Sequence, residues 1–160
     1  MKEIYYCRHG ITDDLENGIR NRPEASLTAE GFAQAQTAAE LLIEKGISPD
    51  VIASSALCRA LQTAQKISLL LGGIRIATSP ILNERHAGSA IGMKNKDIKM
   101  LFPGGFDTVP GAEKTADLQL RSARAAEWLA TFEEDTILVV GHGVSGRAMA
   151  RHYDGRPYTE

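Results

Sequence analysis

With 160 residues, 43% apolar and 24% charged, the chain is long enough to bury a core without metal or disulfide staples. Its formal net charge of −2 excludes a global field that would draw it to nucleic acid or an acidic membrane, so any preference for anions must come from a local cluster. Two cysteines and an N-terminus without an apolar leader stretch exclude a secreted disulfide framework and make cytoplasmic the expected location.

In chain order, "IYYC" (4–7) is the first short β-rich apolar run, and it is followed at once by Arg8, His9 and Gly10. "LTAEGFAQAQTAAELLIEKG" predicts a helix with Thr28 as N-cap, a stripe of Phe32, Ala35, Ala39 and Leu42, and Gly46 as a left-handed cap. "DVIAS" (50–54) is the second run. "SALCRALQTAQKISLLLGG" predicts a second helix with Ala60, Ala64, Ile67 and Leu71 inward and Gly72 closing it. The third run, "IRIA" (74–77), belongs to an apolar stretch broken by glycines and an arginine, too short for a membrane span.

Residues 83–110 contain only a weak helical segment near "KNKDIKMLF" and are expected to form a long functional excursion. "GAEKTADLQLRSARAAEWLATF" places Leu118, Ser122, Ala125, Leu129 and Phe132 at helical spacing, with Trp128 and Phe132 as core residues. "TILVV" (136–140) is the fourth run, and "RHYDGRPYTE" has no apolar run to form a closing strand. Strands alternating with helices of this length predict one domain over 1–160, an α/β fold with a mainly parallel sheet covered on both faces. Cys7 and Cys58 are expected as small buried free thiols, although Arg59 beside Cys58 keeps a reactive thiol open.

Open parallel sheets bind ligands beyond the carboxyl ends of their strands. After the first run come Arg8, His9, Gly10 and Thr12; after the second, Ser54, Ser55 and Arg59. Asn83, Glu84, Arg85 and His86 follow the third, and Gly141, His142 and Gly143 follow the fourth. All are expected at one edge of the sheet.

The set suits a phosphoryl group. Arginine's planar fork donates paired hydrogen bonds to phosphate and keeps its charge. Helix N-termini after Gly10, Ser55 and Gly143 are expected to add backbone N–H donors. A neutral imidazole is a competent nucleophile when one nitrogen is held as donor and the other presents its lone pair, and two nearby guanidiniums disfavour the imidazolium. The sequence has no H-E-x-x-H, Cys-x-x-Cys or nucleotide-cradling glycine loop, so neither metal nor cofactor is expected.

"CRHGIT" resembles the Arg-His-Gly signature of the histidine phosphatase superfamily, which includes the phosphoglycerate mutases. "SLTAEGFAQAQTAAELL", "SSALCRALQTAQ", "LNERHAGSAIG", "PGAE" and "VVGHGVSGRAM" are similar to further motifs of that family in the same order. The resemblance implies a three-layer α/β/α sandwich that needs no metal, with His9 phosphorylated and Arg8, Arg59 and His142 clamping the phosphate. It also implies that Glu84 protonates the leaving oxygen and then assists water; His86 competes for that role.

Thr12, Asn17 and Gly143 are minor substrate-binding candidates, with Ser54, Arg20 and Arg22 weaker still. Leu15 stands where the family carries asparagine, "GIRNRPEAS" and Ala90-Ile91 depart from its substrate segments, and the family's last strand is missing. These departures favour a phosphatase over a mutase. The expected partner is a small phosphorylated metabolite or a phosphoprotein, with no nucleic acid or membrane. A protein phosphohistidine phosphatase and a non-catalytic phospho-ligand module are the alternatives.

Overall fold

The most deeply buried strands are those at the centre of the sheet. In the computed structural model, which describes residues 2–156 and Tyr158, β1 (Glu3–Arg8), β2 (Val51–Ser55), β3 (Ile76–Ser79) and β4 (Thr136–Gly141) form one parallel sheet in the order β1-β4-β2-β3. Every residue of β2 is buried, as is all of β4 after Thr136, whereas the edge strands β1 and β3 alternate between half-buried and exposed. That contrast follows from helices covering both faces of the central pair.

The helices are α1 (Asp13–Glu16), α2 (Ala29–Glu44), α3 (Cys58–Leu70), α4 (Asn95–Leu101), α5 (Thr115–Ala130) and α6 (Gly143–Tyr153). The chain moves across the sheet in one direction from β1 to β2 to β3, then reverses to insert β4. Because parallel crossovers are right-handed, the reversal sends α5 to the face opposite α2 and α3. The core records this. Ile52, Leu138 and Val140 pack with Ala39, Leu42, Ala60, Ala64 and Ile67 on one side. Val51, Ala53, Ile137 and Val139 pack with Ala125, Leu129 and Met149 on the other. The result is the expected three-layer α/β/α sandwich.

Thr28 caps α2, its hydroxyl accepting from Gly31 N at 3.1 Å, and Gly46 follows the helix at φ 66. Four local expectations need correction. Phe32 is 38% exposed, and Gly31 takes the inward position because the carbonyl of Ile11 lies too close for any Cβ there. The third strand begins at Ile76 rather than Ile74, whose carbonyl instead accepts from Ser68 Oγ at the end of α3. Cys7 and Cys58 are free but only half-buried, on an edge strand and in the first turn of α3. Trp128 and Phe132 are partly buried at the rim of the core, stacked edge to face with ring centres 4.9 Å apart.

The excursion after β3 has its own small core of Ala87, Ala90, Ile98, Val109 and Ala112. Residues 151–153 complete α6, and Tyr158 is buried against Leu118, Val144 and Ala148. The expectation of no closing strand also covers Pro157, Thr159 and Glu160, which lie outside the described residues. No helix of the described residues is long and apolar enough to cross a membrane.

Leu129 is fully buried where α5 meets the sheet. Leu129→Ala is expected to lower the unfolding free energy by about 2–5 kcal/mol in urea titration, the cost of a cavity in a packed core; a loss well below about 1 kcal/mol would contradict this packing.

Candidate active site

The loops after β1 and β2 leave toward the α2–α3 face and the chain after β4 toward the α6 face, so a crevice opens at the carboxyl end of β4. The parallel register pairs Arg8 with Gly141, which sets His9 beside His142. Their ring centres are 5.1 Å apart, tilted by 59°. A cavity of about 570 Å³ opens here, and Arg8, His9, Arg59 and Glu84 are in its wall. His142 is fully buried.

His9 is 6% exposed, and its backbone N–H extends the β1–β4 ladder by donating to Gly141 O at 3.0 Å. Its Nδ1 lies 2.7 Å from the carbonyl of Gly10, and a carbonyl only accepts, so Nδ1 carries the hydrogen and Nε2 keeps its lone pair. Burial, aided by the charges of Arg59 and Arg8 and opposed by the Gly10 carbonyl, pulls the imidazole down to about 4. Gly10 is required by close approach: a Cβ there would lie 2.3 Å from the carbonyl oxygen of Gly31 at the start of α2.

His142 is braced on both its backbone and its ring. The Tyr6 hydroxyl accepts from His142 N at 2.8 Å and donates to His142 O at 2.9 Å. Gly141 and Gly146 leave room for that phenol; a Cβ on Gly141 would sit 2.2 Å from its oxygen. The ring's Nε2 is 2.7 Å from Ser55 Oγ. Burial first, then the charges of Arg59 and its other neighbours, hold this imidazole well below its usual range.

Arg59 is 2% exposed and donates through Nη1 to the carbonyl of Arg22 at 3.2 Å. Arg22 is fastened in turn, its backbone N and side-chain Nε and Nη2 all donating to the buried carboxylate of Asp14. Those hydrogen bonds hold Asp14 below the usual carboxylate range against its burial. Arg8 is exposed, and its guanidinium lies against Gly143.

Glu84 is half-buried and its carboxylate is a helix cap. Oε1 accepts from Arg85 N and Ser145 N, each at 2.9 Å, and Oε2 accepts from Val144 N at 3.1 Å. The amides expected to cradle an anion are therefore engaged by the protein itself. At the start of α3, Ala56 N donates to Asn83 Oδ1 and Leu57 N to Ser55 Oγ. After His9, Gly10 N donates to Thr63 Oγ1 and Ile11 N to Gln34 Oε1. Positive charge in the site comes from side chains rather than from these amides.

Of the minor candidates, Thr12 is fully buried, caps α1 and donates its hydroxyl to Asn21 Oδ1 at 2.6 Å. Asn17 is exposed and donates to the carbonyl of Asp13. Neither is in the cavity wall, nor is Gly143, which lies beside the Arg8 and Arg147 guanidiniums. Ser54 donates to the carbonyl of Ser55 within its own strand. His86 is in the cavity wall, with Nδ1 near Gly111 O and Gly88 N. Arg20 is also in the wall, its guanidinium 4.2 Å from the centre of the Phe106 ring.

Tyr6, Arg121 and Glu113 carry structure that motif reading did not assign. Arg121 donates to the carbonyls of Ile81 and Asn83 at 2.9 and 2.8 Å and forks onto Glu113, fixing the loop that presents Glu84. Their signal in the sequence is faint: one of two arginines inside an amphipathic helix, a tyrosine in an edge strand, and the glutamate of "PGAE" with no partner marked. Among the described residues, no group of three or more His, Cys, Asp or Glu side chains is placed to hold a metal ion.

Residues 4–160 match the sequence model of the histidine phosphatase superfamily (branch 1). The 2,3-bisphosphoglycerate-dependent phosphoglycerate mutase of Clavibacter michiganensis subsp. michiganensis is 32% identical over 96% of this chain and 77% of that protein. The enzyme of the same name from Rhodococcus opacus is 31% identical over 95% and 76%. Among solved structures, a mycobacterial glucosyl-3-phosphoglycerate phosphatase complexed with VO3 superimposes with a TM-score of 0.82 at 27% identity, covering 95% of this chain and 81% of that one. A putative alpha-ribazole-5'-P phosphatase from Escherichia coli gives 0.82 at 26% identity, covering 98% and 82%.

The low value for His9 has a consequence for stability. Between the ordinary 6.5 and about 4 the unfolded chain takes up a proton that the folded site refuses, so stability falls as pH drops through this window. The unfolding free energy in urea is expected to fall by about 2 kcal/mol from His9 alone between about pH 7 and about pH 5, with His142 adding in the same direction. His9→Gln should flatten that slope; an unchanged slope in the variant would contradict the assignment.

Proposed function

Because the chain belongs to the histidine phosphatase superfamily (branch 1), we propose that it is a metal-independent phosphomonoesterase acting on a small phosphorylated metabolite through a phosphohistidine on His9. The observation that carries this reading is His9 itself, a neutral imidazole whose Nδ1–H is tied to Gly10 and whose Nε2 lone pair is free beside two arginines in the cavity.

The steps follow from these groups. Arg8 and Arg59 hold the phosphoryl oxygens and neutralise charge, the main requirement for phosphoryl transfer. His9 Nε2 attacks phosphorus, the P–O ester bond breaks, and the departing oxygen takes a proton from the Glu84 carboxyl. Oε2 of Glu84, with one backbone donor against two on Oε1, has the lone pair available to carry that proton. Water then attacks the phosphohistidine, the P–N bond breaks, and Glu84 receives the water's proton. The products are an alcohol and phosphate.

Two points favour hydrolysis over mutase chemistry. A mutase site must hold both the phosphohistidine and a second charged group of the bound intermediate. Here the three further arginines in the cavity wall are engaged by the protein, Arg85 with Asp107 and the Glu113 carbonyl, Arg121 with the Glu113 carboxylate, and Arg20 over the Phe106 ring. Leu15, Ile19, Pro23, Leu57 and Ile91 in the same wall suit an uncharged leaving group. Two of the similar structures are named as a glucosyl-3-phosphoglycerate phosphatase and a putative alpha-ribazole-5'-P phosphatase, which supports a small-metabolite substrate.

The protein is expected to hydrolyse an aryl phosphate in excess EDTA and to lose at least about a thousandfold in kcat on His9→Ala. Glu84→Gln is expected to slow alkyl phosphates more than aryl ones, whose leaving oxygen needs no proton. Activity that requires added metal, or that survives in the His9 variant, would refute the mechanism; equal losses on both esters would remove Glu84 from the acid role.

A further inference from the structure

The two histidines are wired in opposite senses. The protonation of His142 follows from its partners, one hydrogen at a time. Asn83 Oδ1 accepts from Ala56 N at 3.0 Å, which identifies that atom as the amide oxygen rather than the nitrogen. An amide oxygen only accepts, so Ser55 Oγ, 2.9 Å away, gives its single hydrogen to it. The same hydroxyl accepts from Leu57 N at 3.2 Å. With its hydrogen committed, Ser55 Oγ can only accept from His142 Nε2 at 2.7 Å, so Nε2 carries the hydrogen.

That leaves Nδ1 of the neutral ring with a bare lone pair, buried and, among the described residues, without a hydrogen-bond partner. The Nε–H of Arg59, on the arginine whose charge acts most strongly on this ring, is also buried without a partner among the described residues. An oxyanion entering here satisfies the Arg59 donor directly. Against His142 Nδ1 it would set one lone pair against another, a contact that a proton between them converts into a charge-assisted hydrogen bond.

We propose that Asn83 and Ser55 are positioning residues that lock His142 with its hydrogen on Nε2, and that the oxyanion site fills with the uptake of one proton onto Nδ1. This rests on reading the site as a phosphoryl pocket. His9 cannot be the acceptor, because its Nδ1 is committed to Gly10 and its Nε2 must stay free to attack. The groups around His142 are Arg8, His9 and Tyr6 from β1 and its loop, Arg59 from α3 and Arg121 from α5, while the Glu84 carboxylate, from the loop after β3, caps α6 two and three residues further on. Three of these are guanidiniums, which together with burial keep the empty site unprotonated. A phosphate dianion reverses the local sign. The substrate therefore supplies the charge that turns His142 into a donor, and only a filled site carries the extra proton.

The test is calorimetric titration of the full chain with inorganic phosphate at about pH 8, where phosphate is mainly a dianion, in two buffers of different ionisation enthalpy. About one proton should be taken up per phosphate bound, and His142→Gln should bind more weakly with that uptake lost. ¹⁵N histidine spectra of the phosphate-free protein should show His142 as the Nε2–H form, turning into a mixture of tautomers in Ser55→Ala and Asn83→Ala. Phosphate binding with no proton uptake, or a wild-type Nδ1–H tautomer, overturns this proposal while leaving the phosphate site intact. Absence of phosphate binding overturns both. Should the Ser55 and Asn83 variants fail to fold, the wild-type spectrum and proton count still decide.

Discussion

A histidine that attacks phosphorus must stay uncharged next to the cations that hold the phosphate and must present a bare nitrogen; burial and the guanidiniums meet the first demand, and the hydrogen bond from His9 Nδ1 to the Gly10 carbonyl meets the second. The bond selects the tautomer and leaves Nε2 available, while burial removes the water that would stabilise an imidazolium. It exists because the chain turns sharply as it leaves β1, and the turn is possible because Gly10 and Gly31 let two backbone segments approach within a distance no side chain permits. The Arg-His-Gly sequence is therefore one physical unit: a cation, a nucleophile and the space that sets its orientation.

The rest of the site braces this arrangement. Buried ionic and polar groups are costly when left incompletely paired. Here each wall of the cavity has a dedicated support. Asp14 and Arg22 present a carbonyl to Arg59. Arg121 and Glu113 fix the loop carrying Glu84, and Tyr6 grips both sides of the His142 peptide. These supports come from β1, α1, α5 and the excursion after β3, so the geometry depends on the whole sandwich rather than on one loop.

Much of the fold was legible because central parallel strands are apolar throughout and their helices carry one clear stripe, as at Ile137–Val140 and at Ala60, Ala64 and Ile67. The convergence of Arg8, His9, Arg59 and Glu84 in one cavity wall was legible too, since residues after parallel strands share one edge of the sheet. What failed to show were the interactions decided by loop geometry. Thr12 reads equally as a ligand or a cap until Asn21 is seen to take its hydroxyl. The amides after Gly143 suggest an anion site until the Glu84 carboxylate is found upon them. The inward side of α2 was misread at Phe32 because helical periodicity carries no information about which backbone lies opposite Gly31.

The central claim is that His9 forms a covalent bond to phosphorus through Nε2. Rapid quenching of the protein during turnover of a ³²P-labelled ester, followed by peptide mapping, tests it most directly. The account predicts an acid-labile, base-stable phosphoryl group on the peptide containing His9, present before product release and absent from His9→Ala. Turnover with no labelled protein, or a stable phosphoester on a serine or threonine, would contradict it.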